Sequence, residues 1–390
     1  MNRRALLRAC ARDLGPRPAR TISLQQSLEG AYAWLCRAQD GTADDGVAGW
    51  YHLFRGWAPS YPETTGYLIP TFLTYASVMA QPGARARALR MADWEVDVQL
   101  PSGAVRSGVL STRVGPAVFN TGQVLFGWTA AYQTTGDDRY ARAAQRAAEW
   151  LRRGQDTDGA WRKNLSLVAH STLQTYNVRA AWGLAWAGQV LDEPRWIQAA
   201  RKNCDWALRQ QQRPTGWFGH NGFSDTEVPL LHTIGYVLEG LLGVGELLTD
   251  QRCVEAARSG IEPLAAEYAG AGRLAGRYDG QWRGTVRWRC LTGEAQLALV
   301  LARLARHAGG ATATRMARAL LEDVAGVQDL RGPYPETRGG ISGSQPVWGG
   351  YSPFAYVSWA AKFQIDALLL CLFGADVHQP PARQASATLR

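Results

Sequence analysis

The stretch Tyr61-Pro62-Glu63-Thr64-Thr65-Gly66-Tyr67 decides the fold, because its core returns along the chain in altered form. Thr65-Gly66-Tyr67 is followed by Thr121-Gly122-Gln123, Asn177-Val178-Arg179, Ile234-Gly235-Tyr236, Thr292-Gly293-Glu294 and Ala360-Ala361-Lys362. The central residues stand 56, 56, 57, 58 and 68 residues apart. A near-constant period of this length is the signature of one supersecondary unit copied many times. A second register runs through the same units. Amphipathic stretches end in Gln39, Gln99, Gln155, Gln211 and Gln328, and the fifth unit, which ends near Tyr268, lacks the Gln.

The stretches before these glutamines, such as 140–150 and 196–206, carry apolar residues at the 3.6 period and a charged opposite face. Those that follow each glycine motif are apolar all round, and such a helix must be enclosed by protein. The pattern predicts an all-α (α/α)6 toroid, six inner helices ringed by six outer ones. The inner helices are expected near 65–76, 121–134, 177–190, 234–248, 292–306 and 359–373. The outer ones are expected near 24–39, 83–99, 137–154, 194–212, 250–268 and 312–328. Residues 21–375 make this one toroid domain, between a frayed basic extension (1–20) and a flexible Pro/Gln/Ala tail (376–390).

Composition narrows the function. Of 390 residues, 46% are hydrophobic and 19% charged, which excludes global disorder. Gly (42) and Trp (16) are abundant and Met (4) is scarce. The formal charge is +9, carried almost wholly by Arg, since the lysines are only Lys163, Lys202 and Lys362. A genome that writes Arg for Lys accounts for the bias, and an acidic partner is the sharper reading. No compact basic run with interleaved aromatics points to nucleic acid. No window of 18 uninterrupted apolar residues predicts a membrane span. The six cysteines form no CxxC pair, which argues against a zinc ribbon or a disulfide framework and fits a reducing compartment. The first residues begin like a signal peptide, but Arg8 and Arg12 interrupt the apolar run. The expectation is a cytoplasmic protein, with the periplasm left open.

The loops from outer to inner helices run to about 21–30 residues, a length that usually marks function. The working face is therefore the rim at the inner-helix N-termini, where unpaired N–H groups favour anions. Residues at these starts should ring the mouth: Glu63 with Tyr67, Asn120 with Gln123, Tyr176 with Asn177 and Arg179, His232 with Tyr236, Cys290 with Glu294, and Trp359 with Lys362. Thr65, Asn120 and Thr292 are equally good helix caps. Charges on enclosed helices are costly unless they face a wet cavity, so Glu63, Tyr176, Arg179, His232 and Glu294 suggest function. The loops add Trp161, Trp217, His220, Trp282, Arg283, Trp288, Trp348 and Tyr351, flat rings for sugar faces and Arg for carboxylates or sulfates on them.

Three chemistries suit such a mouth. Glycoside hydrolysis needs two carboxyl groups, for which Glu63 and Glu294 are the candidates, with Asp158, Asp225, Asp279 and Glu336 as loop alternatives. Uronate β-elimination or C5-epimerisation would use Tyr176, His232 and Tyr236 as bases, with Asn120, Arg179, Arg283 and Arg287 binding the carboxylate. A toroid that binds glycans without turnover is the third reading. No cofactor and no metal are expected. Cys290, His232 and Asp225 are good zinc ligands by type, but nothing in their spacing requires zinc, and Cys290 reads more simply as a buried hydrophobe.

With these repeats the chain resembles the six-hairpin toroid families, which include glycoside hydrolases, polysaccharide lyases and sugar epimerases. Tyr61–Tyr67, Phe119-Asn-Thr-Gly-Gln123 and Gly339-Gly-Ile-Ser-Gly-Ser-Gln-Pro-Val-Trp-Gly-Gly-Tyr351 look like toroid proteins of bacterial exopolysaccharide clusters. That resemblance implies work on an acidic exopolysaccharide or its oligosaccharide intermediate, without naming a reaction. Gln155-Asp-Thr-Asp-Gly-Ala-Trp161 also resembles the QW-type repeat of terpene cyclases. The Asp-x-Asp-Asp acid and the Asp-Asp-x-x-Asp diphosphate site of such enzymes are absent, so a terpene cyclase-like toroid is the weakest alternative.

Overall fold

A computed structural model describes residues 3–14, 22–112, 115–224, 228–307 and 310–378. After helix α1 (Arg3–Leu14), twelve helices fall into two concentric sets. The outer set is α2 (Leu24–Asp40), α4 (Pro82–Val98), α6 (Asp138–Gly154), α8 (Pro194–Arg209), α10 (Gln251–Ala271) and α12 (Gly310–Ala325). The inner set is α3 (Pro62–Val78), α5 (Val118–Thr135), α7 (Val178–Val190), α9 (Leu231–Leu248), α11 (Leu291–Leu304) and α13 (Ser358–Phe373). Each inner helix packs on the next, and α13 packs on α3 to close the ring. Each outer helix packs on the inner helix just before it, except that α2, from the start of the chain, pairs with α13. The fold is the (α/α)6 toroid. Helix α9 is long and apolar enough to cross a membrane, and it lies enclosed within the ring between α7 and α11.

The repeated glycine has a mechanical cause. Gly122 sits where α5 meets α7, and a Cβ there would lie 2.3 Å from the Cβ of Ala180 and 2.5 Å from its Cα. The inner helices approach this closely only because that side chain is missing. The repeated glutamine has a cause too. At the end of α4, Gln99 Nε2 donates to Gly103 O (2.7 Å) and to Ala143 O of α6 (3.0 Å). Gln155 does the same to Gly159 O (3.1 Å) and Ala199 O of α8 (2.8 Å), and Gln211 reaches Ala256 O of α10 (3.0 Å). Each Gln thus ties its own loop to the next outer helix. In the fifth unit the Tyr268 hydroxyl donates to Asp323 of α12 (2.8 Å), so a different side chain makes the same tie.

The loop that Gln155 holds turns at Gly159, whose φ is +97°. A Cβ there would lie 2.2 Å from Lys202 O. Gly159→Ala should therefore cost at least about 2 kcal/mol, from left-handed strain and backbone overlap together. Gly154→Ala, at the end of α6 with no heavy atom in reach, should stay within about 0.5 kcal/mol. Urea unfolding of the two variants checks the contrast, and equal midpoints would remove the argument.

The rim at the inner-helix N-termini carries short strands that helical periodicity did not announce. Strands β1 (Trp50–His52), β2 (Gly56–Trp57) and β5 (Ala355–Val357) pair in the order β2-β1-β5, all antiparallel. Strands β3 (Arg289–Cys290) and β4 (Ser344–Gln345) form a second antiparallel pair. At both ends the described residues pack onto the ring. The head is a helix whose Ala5 and Ala9 are buried, whose Arg8 bonds Asp329 (2.7 Å) and whose Asp13 accepts from Val347 N–H (2.6 Å). At the other end, Asp376 pairs with Arg306 (3.3 Å) and the ring of His378 lies 4.1 Å from that of Trp182. The chain thereby plugs the toroid at the C-terminal ends of the inner helices. Residues 1–2, 15–21 and 379–390 lie outside the described residues.

Candidate active site

The long loops and the inner-helix N-termini enclose a cavity of about 470 Å³. Its walls are rich in aromatic rings, with Trp50, Phe119, Tyr176, Phe223, Tyr236, Tyr351 and Trp359 among the lining residues. Glu63 on α3 and His232 on α9 stand in it as groups suited to proton transfer, with His52 of β1 and the lining tyrosines beside them. In the ring order α3, α5, α7, α9, α11, α13 these two helices are diametrically opposed. The acid and the imidazole therefore come from opposite walls.

Pro62 opens α3 and places Glu63 in its first turn. The carboxyl is 8% exposed, and Tyr61 Oη donates to its Oε2 at 2.6 Å. Burial raises its pKa to about 7, against the opposing pull of the Tyr61 hydrogen bond and the Arg179 charge. His232 is held through its Nδ1 by Gln296 Oε1. The Gln296 amide is oriented in turn, because its Nε2 faces Glu239 Oε2 at 3.4 Å. An amide whose NH₂ meets a carboxylate presents its oxygen on the other side, so His232 carries its proton on Nδ1 and keeps a lone pair on Nε2. Burial holds its pKa down to about 4, so the ring is a neutral acceptor at pH 7.

Below the cavity floor lies a sealed ion pair. Arg179 Nε and Nη2 donate to Glu239 at 3.1 and 3.3 Å, and both side chains are fully buried. The guanidinium sits 5.1–6.0 Å from the ring centroids of Phe126, Phe363, Tyr236, Tyr67 and Trp182. Deeper still, Lys362 pairs with Asp366 (2.5 Å), whose other oxygen accepts from Thr71 (2.7 Å).

Of the residues expected at the mouth, the structure brings together Glu63, His232, Tyr236, Tyr176, Tyr351 and Trp359. Glu294, expected as the second catalytic carboxyl, is not among the lining residues. Its two oxygens accept from Arg289, which closes that carboxylate into a buried pair. Tyr67, Asn120, Gln123, Arg179 and Lys362 are fully buried and do not line the cavity. Gln123 bonds Phe119 O of its own helix (3.2 Å), and the Arg179 charge is matched by Glu239. The expected aromatic platforms support loops instead. Trp161 Nε1 donates to Leu151 O (2.9 Å), Trp282 Nε1 to Thr215 O (2.8 Å) with its ring against Trp217, and Trp288 covers Gly276 and Gly350. His220, Arg283 and Trp348 also lie outside the lining, and Arg283 binds Asp279 (2.9 Å). Asp158 is taken by Arg162 (2.6 Å), and Asp225 lies outside the described residues. Burial pushes the Cys290 thiol up to about 12, in keeping with a buried hydrophobe. Among the described residues no cluster of metal-ligating side chains occurs. Glu239 and Gln296 were missed from the sequence. Glu239 is a charge set among apolar residues two turns into α9, a signal the sequence does carry, and Gln296 stands two residues after Glu294 on α11.

No family model matches the sequence, and no curated protein resembles it. Solved structures resemble its fold. An unsaturated glucuronyl hydrolase from Bacillus sp. GL1, responsible for the degradation of glycosaminoglycan, superposes with a TM-score of 0.70 at 15% identity, over 90% of this chain and 97% of its own. An unsaturated glucuronyl hydrolase specific for heparin gives 0.69 at 17%, over 91% and 98%. Cellobiose 2-epimerase from Bacillus thermoamylovorans B4167 gives 0.66 at 11%, over 88% and 97%. At these identities the likeness is one of fold.

Proposed function

We propose that this chain is a carbohydrate-active enzyme that cleaves a glycoside, with Glu63 as general acid and His232 as the base that takes a proton from water. The observation that carries the reading is the pair itself, a carboxyl with a pKa near neutrality and a neutral imidazole on opposite walls of one aromatic cavity. Protonated Glu63 donates to the leaving oxygen while His232 Nε2 accepts a proton from the attacking water. The Tyr61 hydrogen bond fixes one carboxyl oxygen and leaves the other for the substrate. Aromatic walls suit the apolar faces of a sugar ring. The resemblance to hydrolases and an epimerase of sugars supports the substrate class. Arg55 at the mouth favours an anionic sugar.

Epimerisation is the second reading. Among the described lining residues Glu63 is the sole carboxyl, and an acid and a base on opposite walls are what inversion of a C–H carbon requires. Incubating the protein with neutral and acidic oligosaccharides in deuterated water separates the two. New reducing ends mean hydrolysis, and deuterium at carbon without cleavage means epimerisation. An unchanged panel would end both.

The pH profile follows from the two groups. His232 must be neutral, which holds above about 4, and Glu63 must be protonated, which holds below about 7. The kcat/KM profile should rise through about pH 4, plateau in mildly acidic solution and fall through about pH 7. An activity that climbs through pH 7 to 9 would remove Glu63 from the acid role.

A further inference from the structure

The lip of the cavity bears on what the sugar is attached to. We infer that the substrate is a glycoside of an aliphatic alcohol, its hydrocarbon chain seated on Val109, Leu167, Val168 and Pro353. The inference rests on the carbohydrate reading of the same cavity.

Leu167 and Val168 are 52% and 53% exposed, and Phe54, beside the lining residues His52 and Arg55, is 38% exposed. Of seven large hydrophobic side chains exposed among the described residues, two line this one opening and a third, Phe54, lies next to its lining residues in the chain. Their exposure is built in. Leu167 N–H donates to Ser107 Oγ (2.5 Å), Ala169 N–H to Ser166 O (2.9 Å) and His170 N–H to Phe223 O (2.6 Å), so the segment is tied to loops on both sides with its aliphatic groups outward. Aliphatic surface held in water at the mouth of a pocket is costly unless a ligand covers it.

A polysaccharide leaving the pocket would ask for something else. The next sugar would need a flat ring beneath it and hydrogen-bonding groups beside it. Trp217, Trp282 and Trp288 are spent on loop packing elsewhere, and Trp50 and Trp359 line the cavity itself. Beside the polar His52, Arg55 and Ser352, the lip offers the branched aliphatics Val109, Leu167 and Val168. It continues the aromatic wall of the cavity outward, so one ligand with a sugar head and a hydrocarbon tail covers both.

Calorimetric titration of the full chain with methyl, butyl and hexyl glycosides of glucose, galactose and glucuronic acid tests this. Each fully buried methylene multiplies affinity roughly fourfold. For whichever sugar binds as its methyl glycoside, the hexyl glycoside should bind at least about tenfold tighter, and in Leu167→Ser/Val168→Ser that ratio should fall below about threefold. Both positions are exposed, so the variant should fold. A flat chain-length series overturns the inference and leaves the carbohydrate reading standing. So does a ratio unchanged in the variant, or a methyl disaccharide that gains as much as the hexyl glycoside. Hexanol bound as tightly as hexyl glycoside overturns it as well, by showing the lip to act without a sugar. If no glycoside binds at any chain length, the carbohydrate reading itself fails.

Discussion

Glu63→Gln should lower turnover by about 10²–10⁴-fold, the usual worth of a positioned general acid. The substitution keeps the shape and a polar partner for Tyr61 Oη, but an amide has no proton to give. The same change should stabilise the protein in alkaline solution. The carboxyl titrates near 7 when folded and near 4.5 when free, so between those values the folded state holds a proton that the unfolded state has released. Stability therefore falls as pH rises through this window, by about 3 kcal/mol once pH passes 7. Gln has no such penalty. Urea unfolding should show Glu63→Gln close to the parent at pH 4.5 and more stable at pH 8. Full activity in the variant would remove the proposed role, and equal stability at pH 8 would place the carboxyl in water.

Arg179→Met should destabilise the protein by about 3–5 kcal/mol, since it leaves the buried Glu239 carboxylate without its bonded cation. Removing both partners is a smaller insult, because the desolvation of two charges is relieved together. Arg179→Met/Glu239→Leu should thus recover more than half of the loss in chemical unfolding. It should not recover activity. Glu239 orients Gln296, and Gln296 sets the tautomer of His232. With that chain cut, the imidazole loses its fixed proton and kcat should fall while the fold holds. A single variant that costs less than about 1 kcal/mol would show that water reaches the pair.

The ring was legible in the sequence because its causes are local. Gly122 marks a close helix crossing, Gln155 marks the tie to the next outer helix, and both recur at the period of the unit. The site was legible only in part, because charge is spent non-locally. Glu63 stands three residues before its motif glycine, in register with His232, and Glu294 one residue after its own, in register with Tyr67, Gln123, Arg179 and Lys362, which the ring buries. Glu63 faces the cavity and Glu294 is held by Arg289, a difference that the register carries and a reading by residue type passes over. Arg179 read as a ligand for carboxylates, but Glu239, 60 residues later in the chain, takes it. The tryptophans read as sugar platforms because composition reports how many rings there are and not what they cover. The head read as frayed because its two buried alanines are too few to draw a hydrophobic stripe.

The seam between α2 and α13 has a consequence for how the protein is made. The buried face of α2, with Leu24, Leu28, Trp34 and Leu35, packs on a helix made far later, and Gln364 of α13 bonds Ser27 of α2 across 337 residues of chain. Until α13 is made the α2 side of that seam stays open, although Tyr32 of α2 can already stack on Tyr75 of α3. Such a chain folds by its most distant contact, a slow route that leaves nascent copies open to one another.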